Sequence, residues 1–261
     1  MPEPPGLTAL ATTSQRLRGL ARSLAMYYWP PGSLGRLTRF YRQFVRPGDL
    51  CFDIGAHVGN RSLAFARLGA RVVAVEPQPD LARFLRHLLA RHPGVVLEEV
   101  AVAASAGSMA LHLSRTTPTV STASADFIDA AATIPSFRRV RWEETVEVPA
   151  TTLDALIDRH GLPDFLKLDI EGLEEAALAG LTRAPRLVSF EFLAGRMASA
   201  ERCLDRLEAI GPWTFNLSIG ESLVLEWPGF VPRAAVDAWL DARTGKDFSG
   251  DIYARRLDAP L

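Results

Sequence analysis

Apolar residues along this chain switch between two periods, and the switches mark out its elements. From about Thr13 to Met26, Leu17, Leu20, Ala21 and Leu24 share one helical face while Arg16, Arg18 and Arg22 spread around the remainder, the spacing of a small amphipathic helix. A stretch this short and not densely basic is expected to pack on the domain rather than lie on a membrane surface. "YYWPPG", Tyr27 to Gly32, ends it, and Leu34, Leu37, Tyr41 and Phe44 align as a second helix before "RPGD" turns the chain. From Leu50 onward strand-like and helical runs alternate: "LCFDI", then Asn60 to Leu68, "RVVAVE", Pro79 to His92, and "GVVLEEVAV". That alternation predicts βαβ units and a parallel sheet.

"SMALHLS" and "ETVEVPA" read as short strands bracketing a polar, small-residue loop or flap from Arg115 to Arg141. The α/β pattern then resumes. "TTLDALIDRHG" is a helix ending at Gly161, "DFLKLDIEG" a strand and turn, "LEEAALAGL" a helix, "RLVSFEF" a strand, and Met197 to Ile210 a helix. "WTFNLSI", "SLVLEW" and "DIYARR" are expected as strands closing the sheet. No internal repeat and no linker demands a second domain. The expected division is a helical extension over 1–47 and one α/β domain over 48–261.

Composition narrows this little: hydrophobic residues at 48% and charged residues at 23% describe an ordinary globular chain. A formal net charge of −1 predicts no general attraction to nucleic acid or to an acidic membrane. Only Cys51 and Cys203 are present, one in a predicted strand and one in a predicted helix, which suits a reducing compartment better than a disulfide framework. No apolar run reaches the roughly 20 residues that cross a bilayer, and no cleavable leader pattern is visible, so the expectation is a cytoplasmic protein without stable membrane insertion. Of 29 basic residues only Lys167 and Lys246 are lysines. A lysine that persists against such bias suggests a place where arginine would not serve.

Chemistry enters at "CFDIGAHVGN", Cys51 to Asn60, a strand, a tight turn and a helix start. In a parallel sheet such a loop lies beyond the strand's carboxyl end, where ligands bind. Gly55 permits the turn, and Gly59 permits close approach of backbone to ligand or of helix to sheet. Dinucleotide sites need G-x-G-x-x-G to seat a pyrophosphate; here D-x-G-x-x-x-G stands instead. The carboxylate of Asp53 repels phosphate and suits an amine, and Glu76, ending the second strand, suits two ribose hydroxyls. Amine, ribose and no phosphate describe S-adenosyl-L-methionine. Asn60 joins this cofactor set, as does His57, which either touches the methionine portion or fills the turn.

"FDIGAHVGN", "VVAVEPQP", "VEVPATTLDALI" and above all "DFLKLDIEGLEEAALAG" resemble the FkbM-type methyltransferase family over roughly Gly48 to Phe192. The resemblance implies a Rossmann-like class I methyltransferase fold, with a mostly parallel, doubly wound sheet. It implies S-adenosyl-L-methionine as methyl donor, S-adenosyl-L-homocysteine as product, and O-methylation of a hydroxyl on a sugar, glycan or natural product. It maps cofactor binding onto Asp53, Gly55, Gly59 and Glu76, and the active-site motif K-x-D-x-E-G-x-E onto Lys167, Asp169, Glu171 and Glu174.

Lys167, Asp169 and Glu171 alternate, so on an extended strand they point to one side. Three charges on one face of a central strand need partners, and they are expected to pair with one another. Asp169 is the candidate general base, Glu171 or Glu174 the alternative, and Lys167 the group that fixes their charges. A divalent ion on Asp169, Glu171 and Glu191 would do the same work, but no Asp-Asn pair follows the next strand and no H-E-x-x-H occurs. No metal is therefore expected. N-methylation on the same scaffold and a catalytically silent cofactor-binding partner protein are the competing readings. A small-molecule or glycan acceptor is expected, and no nucleic acid.

Overall fold

The computed structural model describes residues 5–131, 140–243 and 248–258. Lys246 and residues 132–139 of the expected flap lie outside them. Helix α1 spans Pro5–Tyr28 and α2 spans Ser33–Tyr41. The first unit follows as β1 (Leu50–Ile54), α3 (Asn60–Arg67), β2 (Arg71–Val75), α4 (Pro79–Leu89) and β3 (Val95–Glu98). Next come β4 (Ala101–Val102), β5 (Gly107–Leu113), α5 (Ala125–Ala131) and β6 (Glu144–Thr151). The second unit is α6 (Leu153–His160), β7 (Phe165–Leu168), α7 (Glu174–Ala179), β8 (Leu187–Leu193), α8 (Met197–Glu208), β9 (Trp213–Ile219), α9 (Arg233–Asp241) and β10 (Ser249–Arg256).

Seven strands form one sheet in the order β3-β2-β1-β7-β8-β10-β9. β3, β2, β1, β7 and β8 pair in parallel, and β10 runs antiparallel between β8 and β9. This is the expected doubly wound, Rossmann-like sheet. Chain order reverses between β1 and β7, so the crevice for a ligand opens at the carboxyl ends of those two strands.

Strand alternation sorts residues to two faces. Phe52, Leu166, Val188 and Ile252 pack under α6, α7, α8 and α9 through Leu156, Leu178, Leu204 and Trp239. Their neighbours Cys51, Phe165, Leu187 and Tyr253 pack under α2 and α3 through Tyr41, Phe44 and Phe65. Burying one such aromatic or aliphatic side chain contributes about 1.5–3 kcal/mol, so α2, with Leu37, Phe40 and Tyr41 buried, is part of the core. Both cysteines are buried and unpaired.

Three expectations fail locally. "GVVLEEVAV" is two strands in two sheets, because the chain leaves the main sheet after Glu98 and β4 joins a small sheet of order β4-β6-β5. The expected flap contains a 3-10 turn, Pro118–Val120, and α5. "SLVLEW" is irregular: Leu223 has φ 55, incompatible with a strand, and the Asn216 side chain pins the segment by bonding the Trp227 and Gly229 main chain. Helix α9 had no counterpart in the expected elements.

Candidate functional site

The crevice is built from the β1 loop outward. Gly55 has φ 85, and a Cβ there would fall onto the Asp169 carbonyl oxygen, so this glycine lets the ends of β1 and β7 close on each other. Gly59, φ 77, caps α3 against Leu85 of α4. Beyond the carboxyl ends of β2, β1 and β7 opens a cleft of about 590 Å³, its solvent-open mouth included, lined by Gly55, His57, Glu76, Val102, Thr122 and Asp169 among others.

Glu76 forms one wall. Its carboxylate is buried and accepts the main-chain N–H groups of His57 and Gln78, each at 2.8 Å. Burial pushes its pKa up to about 7 despite those two bonds. Each oxygen retains a lone-pair direction for a further donor. His57 has φ 51. Burial holds its pKa down to about 4, so the ring is neutral, and its Nε2 is buried without a hydrogen-bond partner. Asp53 is not among the residues lining the cleft: it is buried at β1, with Oδ2 accepting from Ser62 Oγ at 2.5 Å and Oδ1 buried and unpartnered. Burial raises its pKa. Asn60 is buried at the start of α3.

Beside this apolar cleft lies a charged cluster. Lys167 is fully buried, with Nζ 2.8 Å from Asp251 Oδ1 and 3.4 Å from Asp169 Oδ2. Its principal partner is therefore on β10, which corrects the expectation that the motif's charges pair only among themselves. Arg61 reaches Asp169 at 3.8 Å and Glu221 at 3.0 Å. Burial works to raise the Asp169 pKa, but Lys167 and Arg61 outweigh it and hold the carboxyl below its ordinary value.

Glu171 departs from the expected alternation. β7 ends at Leu168 and Glu171 turns through φ 50, its carbonyl accepting from Thr122 Oγ1 at 2.7 Å. Burial, then Asp169 and Glu174, push its pKa well above the carboxylate range. Glu174 turns inward to accept from the N–H groups of Ile170 and Gly172, and burial lifts it to about 7. Burial and then Glu171 do the same, more strongly, to Glu191. Asp169, Glu171 and Glu191 each bring an oxygen within 4.8 Å of the others, a geometry able to hold a metal ion. Asp169, however, already has two cations beside it, and these compete with any third.

The sequence profile of the "Methyltransferase FkbM domain" matches residues 53–203, more than half the chain. The chain belongs to the FkbM methyltransferase family. No curated protein matches the chain in sequence. Solved structures overlap it at low identity. An O-methyltransferase from Bacillus cereus in complex with SAH is 14% identical, with 94% of this chain and 90% of that one covered at a TM-score of 0.46. A TehB-like SAM-dependent methyltransferase from Corynebacterium glutamicum is 14% identical over 95% and 100%, TM-score 0.46. A precorrin-6y C5,15-methyltransferase from Geobacter metallireducens is 13% identical over 86% and 89%, TM-score 0.42.

The FkbM domain contains Asp53 through Glu191, but three groups at the crevice come from beyond it. Asp251 and Glu221 lie after it. Tyr27 precedes it, its ring edge-on to His57 at 5.5 Å and its phenol held above the usual pKa by desolvation, with Arg61 opposing the shift and Asp169 and Glu221 adding to it. Sequence reasoning missed Tyr27, Arg61, Glu221 and Asp251. Only Asp251 left a signal: in the strand-like "DIYARR" it shares a face with Tyr253, two residues on and buried.

Proposed function

We propose that this FkbM-family protein transfers the methyl group of S-adenosyl-L-methionine to a hydroxyl of a sugar, glycan or natural product. The observation that carries the reading is Glu76: a buried carboxylate held by two main-chain N–H groups, facing a cleft that adjoins a second set of carboxylates. The cofactor fits the residues present. Glu76 has lone pairs to spare for ribose hydroxyls, and His57 Nε2 and Asp53 Oδ1, both buried and unpartnered, suit the polar end of the methionine portion. When bound, the cofactor supplies an electrophilic methyl carbon on sulfur.

The chain's own residues then align and deprotonate. Alignment contributes roughly 7–11 kcal/mol and a general base roughly 3–5 kcal/mol. Asp169, held low by Lys167 and Arg61, is a weak proton acceptor. Its role in this reading is to orient the acceptor hydroxyl. Glu171, raised by burial and like charges, is the stronger base once ionised, and would take the proton of the acceptor hydroxyl as that oxygen becomes the nucleophile. Turnover therefore rises with pH as Glu171 ionises.

Thermal shift and radiolabel transfer test this together. S-adenosylhomocysteine at 100 times its dissociation constant stabilises the fold by about 2.7 kcal/mol, and NAD does not. Equal shifts from both would remove the cofactor assignment. Labelled methyl appears on sugar or natural-product hydroxyls and survives EDTA. Label on amines alone would make the protein an N-methyltransferase. Activity lost in EDTA and restored by magnesium would instead assign Asp169, Glu171 and Glu191 to a metal.

A further inference from the structure

A net charge of −1 conceals two halves of opposite sign. Residues 5–48 carry seven arginines and no acidic residue, whereas the chain from Asp49 onward carries 22 basic and 29 acidic residues. Of the seven, Arg16 is ion-paired, to Asp80 at 3.4 Å and Glu144 at 2.7 Å. Among the described residues, Arg18, Arg22, Arg36, Arg39, Arg42 and Arg46 have no carboxylate partner, and all six are exposed.

Their placement is ordered. Arg18, Arg22, Ala25 and Trp29 recur at three and four residues, and the Trp29 N–H bonds the Ala25 carbonyl, so the helical register of α1 carries through to the indole. The four form one stripe along the solvent side. At its end Trp29 is 83% exposed, with Met26 at 50% beside it. Pro30 and Pro31 make the corner into α2, and Arg36 Nη1 bonds the Pro31 carbonyl at 2.9 Å, which brings a guanidinium to the tryptophan corner. Arg36, Arg39 and Arg42 then occupy the side of α2 opposite its buried Leu37, Phe40 and Tyr41.

We propose that this outer face of the α1–α2 hairpin docks the protein on an anionic lipid surface. An indole thrust from a convex corner, with a thioether beside it and guanidinium groups around it, matches the headgroup layer of a bilayer, where tryptophan sits at the interface and arginine meets lipid phosphate. Single-stranded nucleic acid calls for a basic groove with successive stacking rings, and this corner offers one ring and no groove. Among the described residues no helix is long and apolar enough to cross a membrane, so the contact proposed is peripheral. Docking also sets orientation. The residues next to Trp29 belong to the crevice: Tyr27 packs on His57, and Tyr28 Oη bonds the Val58 carbonyl at 2.8 Å. These two contacts tie the last turn of α1 to the crevice loop while Trp29, about 200° around the helix from Tyr27, faces away from it, so docking fixes how the crevice is held relative to the surface.

Cosedimentation of the full chain with vesicles tests it without any acceptor. Vesicles of phosphatidylcholine and phosphatidylglycerol at 3:1 pull the protein down, pure phosphatidylcholine does not, and raising salt from about 0.05 to 0.5 M releases it. Trp29→Ser, at an exposed position that leaves the melting temperature unchanged, weakens binding about tenfold. Arg18→Ala, Arg36→Ala and Arg39→Ala each weaken it about fivefold. The proposal is overturned if anionic vesicles fail to bind at low salt. It is also overturned if single-stranded RNA or heparin binds as tightly as the vesicles and Trp29→Ser changes neither. A chain that dimerises through this face, dissociating on Trp29→Ser with no vesicle affinity, overturns it equally.

Discussion

Two sides of one crevice treat buried carboxylates in opposite ways. On the β2 side Glu76 faces the cleft with no cation beside it among the described residues and is held by main-chain N–H groups. On the β7 side Asp169 sits between Lys167 and Arg61, which in turn engage Asp251 and Glu221. A carboxylate satisfied by neutral donors keeps its remaining lone pairs for a neutral ligand such as a diol. A carboxylate locked among charges has its position fixed and its basicity spent. The first arrangement binds, and the second aligns.

The sharpest way to break that contrast is at the bases. Glu171→Gln is expected to lower turnover by about 10² to 10⁴ at saturating acceptor, with S-adenosylhomocysteine affinity unchanged in calorimetry. Asp169→Asn, if its task is alignment, also lowers turnover but keeps the rise in rate with pH that Glu171→Gln abolishes. A lost pH dependence in Asp169→Asn would move the base to Asp169.

Smaller, and on the opposite side, Glu76→Gln is expected to weaken cofactor-product binding by roughly 1.5–3 kcal/mol, about 10- to 100-fold, with less effect on turnover. Unchanged affinity would take Glu76 out of the site.

The smallest effect is on stability. Glu76 and Glu174 have folded pKa values raised to about 7, above their unfolded values. Between about pH 4.5 and 7 the native state therefore holds more protons than the unfolded chain, and stability falls as pH rises. Asp169 runs the other way: its pKa is depressed, so its contribution is present above its unfolded value of about 3.9 and lost as pH drops through the folded one. The unliganded protein should melt about 5 °C higher at pH 5.5 than at pH 8, and Glu76→Gln should flatten that difference in calorimetric scans. A melting temperature that rises from pH 5.5 to pH 8 would mean that the charged side dominates.

The same contrast explains what the sequence made legible. Gly55, Gly59 and Glu76 sit where local grammar puts them, at a turn after one strand and at the end of the next, and strand pairing brings them together automatically. Lys167 was conspicuous as a rare lysine, but its chief partner lies 84 residues away, set by β10 inserting between β8 and β9, and no local spacing reports that. Glu171 was placed by strand alternation, and the strand had already ended. Residues 222–227 carry a strand-like pattern, yet Leu223 and Asn216 fold them over the sheet's edge instead. Net charge reports less for a different reason: a sum discards position, and the arginines of α1 and α2 cancel against acids elsewhere.

β10 has one more consequence, for the order of events on the ribosome. β9 emerges before β10 yet lies outside it in the sheet, so the edge beside β8 must stay open until Ser249–Arg256 is made. Until then the ammonium of Lys167 lacks its nearest counter-ion, and sealing it beneath α2 and α3 would strand a charge in an apolar interior. The nascent chain is thereby discouraged from closing that face early. Late insertion of a distant strand is slow by topology, and here the last carboxylate to arrive completes the core and the crevice in a single step.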